Sequence, residues 1–488
     1  MEKILQRHSW WLLGLLISVH AFTAAYDSGP DESDHFEAAR YYQTKWLPPQ
    51  VGSIESLPSY SRYGYSYLNH PDWVYRAAGK SLMLAEACGV NAFWIIRSVN
   101  VVAAWILLLG LSRSERGRRV LPILFICPEV LYIFTYFNSD AWALTTCVLA
   151  GGLTVARADW WQQRPQATRL LLCGGLWALA ISTKMNYLLV PGLVGLWYAL
   201  HLHMWSGLSR LYAWYNGVIL VVLGVSLWMA RFGYERMVNG WNYAAEVKAM
   251  IPALAAPAYQ LHNQGLPGAW EGLGLLERGV VWKEIFIDNA WLWRLARDAA
   301  GQFGYHQWYY ISGLNELLAW ALPAFWFLTY CVIVRSITWR PLLGWACCWP
   351  LLLVLNLSAA LYFGLKIDFQ PQFRYLFPAL ASLCVLAMAV HQNWPRILER
   401  CGSIGLLVSA IYFCVAALVA MPKERTYQME RDPRYFDNPN PALRESRELF
   451  DARRGKTGKP PASQSGFMPS QNETNSSGSG DSTQTSSP

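Results

Sequence analysis

Leu211-Tyr-Ala-Trp-Tyr-Asn-Gly-Val-Ile-Leu-Val-Val-Leu-Gly-Val-Ser-Leu-Trp-Met229 runs without a single charged residue. That matches the roughly 20 apolar residues a helix needs to cross the hydrocarbon core of a bilayer. A second block, Val120 to Phe137, is interrupted by one charge, Glu129. Working outward with a threshold of roughly 17 residues, about eleven such blocks recur, the fourth and fifth being short. They lie near 9–26, 91–111, 120–137, 141–156, 170–183, 185–203, 211–231, 313–334, 341–363, 375–391 and 403–421. The chain therefore reads as an all-α polytopic membrane protein.

Composition agrees. Of 488 residues, 54% are hydrophobic and 15% charged, against roughly 25% charged in soluble domains. This excludes a cytosolic enzyme, a disordered chain and a small disulfide scaffold. The mean hydropathy is only +0.17 because polar loops and a polar tail dilute the spans. The net charge, 40 − 32 = +8, does not point to nucleic acid. No zinc-finger spacing or lysine run accompanies it, and much of the excess sits in short connections between spans.

Those connections set the orientation, because basic residues in short loops stay on the cytoplasmic side. Lys3 and Arg7 precede the first span; Arg113, Arg116, Arg118 and Arg119 follow the second; Arg157, Arg164 and Arg169 follow the fourth. Arg210, then Arg335 and Arg340, then Arg396 and Arg400 continue the alternation. All fall on one side if the amino terminus is cytoplasmic. The first block has the basic start and small-residue end of a signal peptide, but its apolar run is longer than usual, and it is expected to stay as an anchor. Residues 1–421 then form one transmembrane domain, with extracytoplasmic loops at about 27–90 and 232–312. Residues 422–450 form an extracytoplasmic segment, and 451–488 a Ser/Thr-rich tail too polar to bury a core. Eight of the ten cysteines fall in or beside apolar blocks, and Cys88 and Cys401 have no evident partner. No disulfide and no C-x-x-C metal site is expected.

The densest polar stretch follows the first span: Asp27-Ser28-Gly29-Pro30-Asp31-Glu32-Ser33-Asp34-His35-Phe36. Pro30 suits a first helical turn and Ser28 a cap, which predicts a helix from Pro30 to about Tyr42. On it Asp31 and His35 share a face, with Asp34 close by. Acids in a first turn complement the helix dipole, yet so many carboxylates beside an imidazole repel one another unless something uses them. Asn138 and Asp140 stand where span four begins, as caps or as ligand groups. Glu129 is an ionisable group at membrane depth, where such residues face the bundle interior. Lys184 and Arg374 stand at outer turns, positioned either to snorkel toward headgroups or to hold an anionic phosphate.

Four motifs in order carry a resemblance: Pro30-Asp31-Glu32-Ser33-Asp34-His35-Phe36, His70-Pro71, Asn138-Ser139-Asp140 and Gln372-Phe373-Arg374-Tyr375. In this order and outward placement the chain resembles the GT-C membrane glycosyltransferases, which include protein O-mannosyltransferases and lipid A aminoarabinose transferases. It is most similar to a bacterial branch with a Pro-Asp-Glu-x-x-His-Phe loop. Two positions depart from that pattern: Asp72 stands where a second proline is expected, and Phe373 where a small residue is common.

The resemblance covers about residues 9–421 and leaves out the tail. It implies transfer of a sugar from a polyprenyl-phosphate donor to a glycan, lipid or protein acceptor, at the outer face of a bacterial inner membrane. It implies Asp31 as the base, with Glu32 second. His35, His70, Asn138, Asp140, Lys184, Gln372, Arg374 and Tyr375 would bind substrate. A divalent metal on Asp31, Asp140 and His35 is open, because some members use one and others do not. The competing reading is a lipid or glycan transporter or flippase, which would show mid-membrane ionisable groups and pseudo-symmetric halves.

Overall fold

The computed structural model describes residues 2–24, 29–61, 64–69, 72–156, 159–205, 210–255, 275–276, 279–301, 312–337, 340–366, 371–390 and 395–416. His70, Ser28 and everything from residue 417 onward, the tail included, lie outside them.

The helices are α1 (Glu2–Thr23), α2 (Glu32–Thr44), α3 (Trp73–Ala87), α4 (Ala92–Ser112), α5 (Glu115–Phe125), α6 (Pro128–Ile133), α7 (Asp140–Val155), α8 (Asp159–Gln162) and α9 (Gln166–Thr183). They continue with α10 (Leu189–Trp205), α11 (Arg210–Asn239), α12 (Tyr243–Leu254), α13 (Trp291–Ala299), α14 (Ser312–Arg335), α15 (Arg340–Lys366), α16 (Phe377–Ala389) and α17 (Arg396–Val415). Among the described residues the only strand-like pairing is an isolated bridge between Tyr60 and Ser66. All ten cysteines are free.

Among the described residues five helices are long and apolar enough to cross a membrane: α4, and the segments Leu211–Asn239, Gly313–Arg335, Leu343–Lys366 and Ile397–Val415. The chain is an integral membrane protein. Four of the other expected spans coincide with shorter apolar helices, Trp10–Thr23, Asp140–Val155, Met185–Leu196 and Phe373–Ala389.

Two expectations are revised. The block 120–137 is not one helix: α5 ends at Phe125 and α6 restarts at Pro128, because proline lacks the amide and crowds the carbonyl four residues back. Helix α11 runs past 231 to Asn239, carried by an Arg231–Glu235 pair at 2.9 Å one turn apart. It stops at Gly240, whose φ of +74° suits a helix end. The second long loop contains α12 and α13.

At the centre of the bundle, every residue of α16 is buried, as an all-apolar helix must be when neighbours cover it on every side. Helix α7 packs on α16, α4 and α9. Its contact with α16 needs Gly151, where a Cβ would come within 2.2 Å of Val385. At one end of the bundle α2 and α3 pair around Phe36, Ala39, Tyr42, Tyr75 and Ala78. Asp72 begins α3 by accepting the Val74 amide at 2.9 Å, a capping role that explains an acid at this position.

Candidate functional site

Helix α1 ends, α2 begins, α7 begins, α9 ends and α16 begins at the same end of the bundle. This topology collects Asp31, Asp140, Lys184 and Arg374, which are scattered in sequence.

Helix α2 starts at Glu32 rather than Pro30, and Asp31 precedes it in the left-handed region, with φ 56° and ψ 20°. Asp31 therefore does not share a helix face with His35. A side chain other than glycine in this region is uncommon, and such residues concentrate at functional sites. The Asp31 carboxylate makes no cap bond. It accepts the Tyr67 hydroxyl at 3.0 Å and stays half-buried.

Glu32 points the other way. It has no exposure, and Arg97 of α4 grips both its oxygens, Nε to Oε1 at 2.7 Å and Nη2 to Oε2 at 2.8 Å. The Phe137 amide also approaches Oε1, at 3.4 Å. Arg97 in turn donates to the carbonyls of Ala21 at 2.9 Å and Ala24 at 2.7 Å, tying the end of α1 to the start of α2. With both oxygens held, Glu32 is placed as a strut behind Asp31.

His35 is buried, with Nδ1 2.5 Å from the Tyr75 hydroxyl and its ring 3.9 Å from that of Tyr67. Burial, and then Lys184 and Arg374, hold its pKa well below the ordinary histidine value, so the ring is neutral. Burial and the Asp31 carboxylate push the Tyr67 phenol well above its usual range, with Arg374 acting in the opposite sense. Tyr67 therefore stays protonated as the donor to Asp31. It also marks a point that feels both the early acid and the late base.

Asp140, the first residue of α7, is buried between two cations. Lys184 Nζ lies 3.4 Å from Oδ1 and Arg374 Nη1 3.7 Å from Oδ2. Lys184 closes α9 and remains partly exposed, whereas Arg374 is buried in the turn Phe373–Leu376. Gln372 Oε1 accepts from Arg374 Nε at 2.5 Å and sets the plane of the guanidinium. Tyr375 follows, half-buried.

Asn138 is used by the backbone. Its Nδ2 donates to the Ile133 carbonyl at 2.7 Å, and its Oδ1 accepts the Ala141 amide at 3.1 Å. Buried polar atoms here without a hydrogen-bond partner include His35 Nε2, Asp140 Oδ2, Glu129 Oε2 and the Tyr136 hydroxyl. Among the described residues no three His, Cys, Asp or Glu side chains form a group that could hold a metal. Asp31, His35 and Asp140 instead engage Tyr67, Tyr75 and the two cations separately.

The fold is similar to that of two crystal structures of ArnT from Cupriavidus metallidurans. One is bound to undecaprenyl phosphate, with a TM-score of 0.44, 16% identity, and coverage of 89% of this chain and 74% of that one. The other, in the apo state, gives 0.32 and 15%, covering 84% and 76% respectively. Neither a protein-family model nor a curated protein matches the chain.

Sequence reasoning passed over Arg97, Tyr67 and Tyr75. Arg97 carried a usable signal, an arginine in the apolar block 91–111, since charge inside a span usually serves a partner or a function. The tyrosines are two among 26 in the chain, and nothing local sets them apart.

Proposed function

We propose that the chain is a membrane glycosyltransferase that moves a sugar from a polyprenyl-phosphate donor to an acceptor hydroxyl at the outer face of the membrane, in cell-surface glycan or glycolipid assembly. The observation that carries this reading is Asp140 held between Lys184 and Arg374, at 3.4 and 3.7 Å, at the bundle end that also carries Asp31. These ion pairs are long enough for a lipid phosphate to compete for both cations. The ordered motifs of the sequence support the same chemistry.

In this reading Asp31 takes the proton from the acceptor hydroxyl as its oxygen attacks the anomeric carbon. Tyr67 fixes the orientation of that carboxylate. The bond from the anomeric carbon to the phosphate oxygen breaks, and its electron pair leaves with the lipid phosphate. Arg374 and Lys184 face the charge that grows there, where fixed cations act without reorganisation. His35, neutral and held by Tyr75, directs its second nitrogen toward a sugar hydroxyl. A transporter reading is less favoured, because these groups gather at one bundle end rather than at mid-depth.

The test uses purified protein with a panel of undecaprenyl-phosphate-linked hexoses and pentoses and a cell-envelope extract as acceptor. Asp31→Asn should lower kcat by about 100-fold or more while leaving undecaprenyl phosphate affinity intact. Arg374→Ala should weaken that affinity about tenfold or more. Full turnover in both variants would defeat the assigned roles.

A further inference from the structure

The turn that carries Arg374 is held from outside its own helix. Asp298, at the end of α13 in the second long loop, has no exposed surface, and its Oδ2 accepts the Phe373 amide at 2.6 Å. A carboxylate bonded to a backbone amide at this distance is a strong, charge-assisted restraint. The Phe373 ring is fixed as well, stacked on Trp326 with centroids 5.1 Å apart and planes 5° apart. Trp326 is in turn anchored by its Nε1, which donates to the Ile123 carbonyl at 2.9 Å. This gives Phe373, where a small residue was expected, a place in the bundle.

The platform under Asp298 is anchored from three sides. Asn315 Nδ2 of α14 donates to the carbonyls of Arg297 at 3.2 Å and Gly301 at 3.3 Å. The Cys127 thiol, between α5 and α6, donates to the Ala299 carbonyl at 3.1 Å. The Tyr412 hydroxyl of α17 reaches the Gly301 carbonyl at 3.4 Å. Two helices and the α5–α6 junction thus hold the end of α13, and α13 holds the amide one residue before Arg374. In that same turn Arg374 Nη1 lies 3.7 Å from Asp140.

We infer that Asp298 is a positioning residue that sets the reach of Arg374, and through it the affinity for an anionic lipid phosphate. It couples the second long loop to the phosphate end of the site without touching the substrate. The inference rests on the proposed function only in taking a lipid phosphate as the ligand of Arg374. Hydroxyl-specific sugar recognition and the base at Asp31 play no part in it.

The experiment measures undecaprenyl phosphate binding to the purified full-length chain in detergent, with monodispersity and melting temperature followed in parallel. Asp298→Ala should weaken binding about tenfold, while Asp298→Asn, which keeps an acceptor oxygen for the Phe373 amide, should lose threefold or less. Added to Arg374→Ala, Asp298→Ala should cause no further loss, because a residue acting through Arg374 has nothing left to act on. An additive loss in the double variant, or wild-type affinity in Asp298→Ala beside weak binding in Arg374→Ala, would overturn the inference alone. Unchanged binding in Arg374→Ala would instead overturn the phosphate reading itself. If Asp298→Ala does not fold, Asp298→Asn and Asp298→Glu decide the matter by affinity and by hydrogen exchange at residues 372–376. Faster exchange at unchanged affinity counts against the inference, and faster exchange with proportionally weaker binding supports it.

Discussion

At the scale of single residues, the acidic stretch 31–35 divides its labour by backbone conformation. Asp31 sits in the left-handed region and turns its carboxylate to Tyr67, whereas Glu32, one residue on, begins a helix and turns inward to Arg97. No spacing rule separates two adjacent acids in this way. The sequence marked the stretch but not which acid turns inward, because that choice depends on an arginine that arrives from another helix. A buried pair such as Glu32–Arg97 typically costs about 3–5 kcal/mol when one partner is removed.

Asp72 gives a prediction at the same scale. Burial raises its carboxyl to about 7, against the lowering influences of the Val74 amide, Arg231, Lys184 and Ser139. A folded-state value above the unfolded one means that the folded protein holds the proton more tightly. The stabilisation is full below about pH 4 and is lost as the pH rises through about 7. The melting temperature should therefore fall between pH 5 and 8. Asp72→Asn, which retains a capping oxygen, should flatten that fall; an equally steep profile in the variant would contradict the assignment.

At the scale of elements, the positions of five of the expected spans were legible because apolar length alone reports them. Their interruptions were less so. The break at Pro128 follows from a proline in plain view, yet a largely apolar block from 120 to 137 outweighs one residue in any window average. The extension of α11 to Asn239 was hidden for the opposite reason: its last turns are polar and aromatic, and the helix is sustained by a side-chain pair rather than by apolar content. Packing between elements was not legible at all. Gly151 is one case, since only the approach of α16 makes its missing side chain necessary. Gly151→Ala should destabilise the bundle by about 1–3 kcal/mol through overpacking. Val385→Ala in the same chain should recover part of that loss; a purely additive decrease in melting temperature would show that the two helices do not meet there.

For the whole molecule, the alternation of basic connections predicts which end of the bundle faces outward. Cys88, exposed at the end of α3, should react with a membrane-impermeant maleimide on intact cells. A cysteine introduced as Gln163→Cys, in the connection between α8 and α9, should react only after permeabilisation. The reverse pattern would place the site on the cytoplasmic side and remove the outer-face reaction. Convergence of the site was legible only as a motif order. That Asp140 is the meeting point of Lys184 and Arg374 needed the packing of α7, α9 and α16.

Helix α16 has 13 residues, so it spans about 20 Å, well short of a hydrocarbon core about 30 Å thick. Because its neighbours enclose it, this shortfall is never presented to lipid. When the surrounding bilayer thins or thickens, peripheral helices absorb the mismatch by tilting. The axle on which Arg374 is mounted feels only protein. If Arg374 grips a phosphate as proposed, that grip is insulated from membrane composition, a useful property for a long-chain lipid ligand drawn from that same membrane.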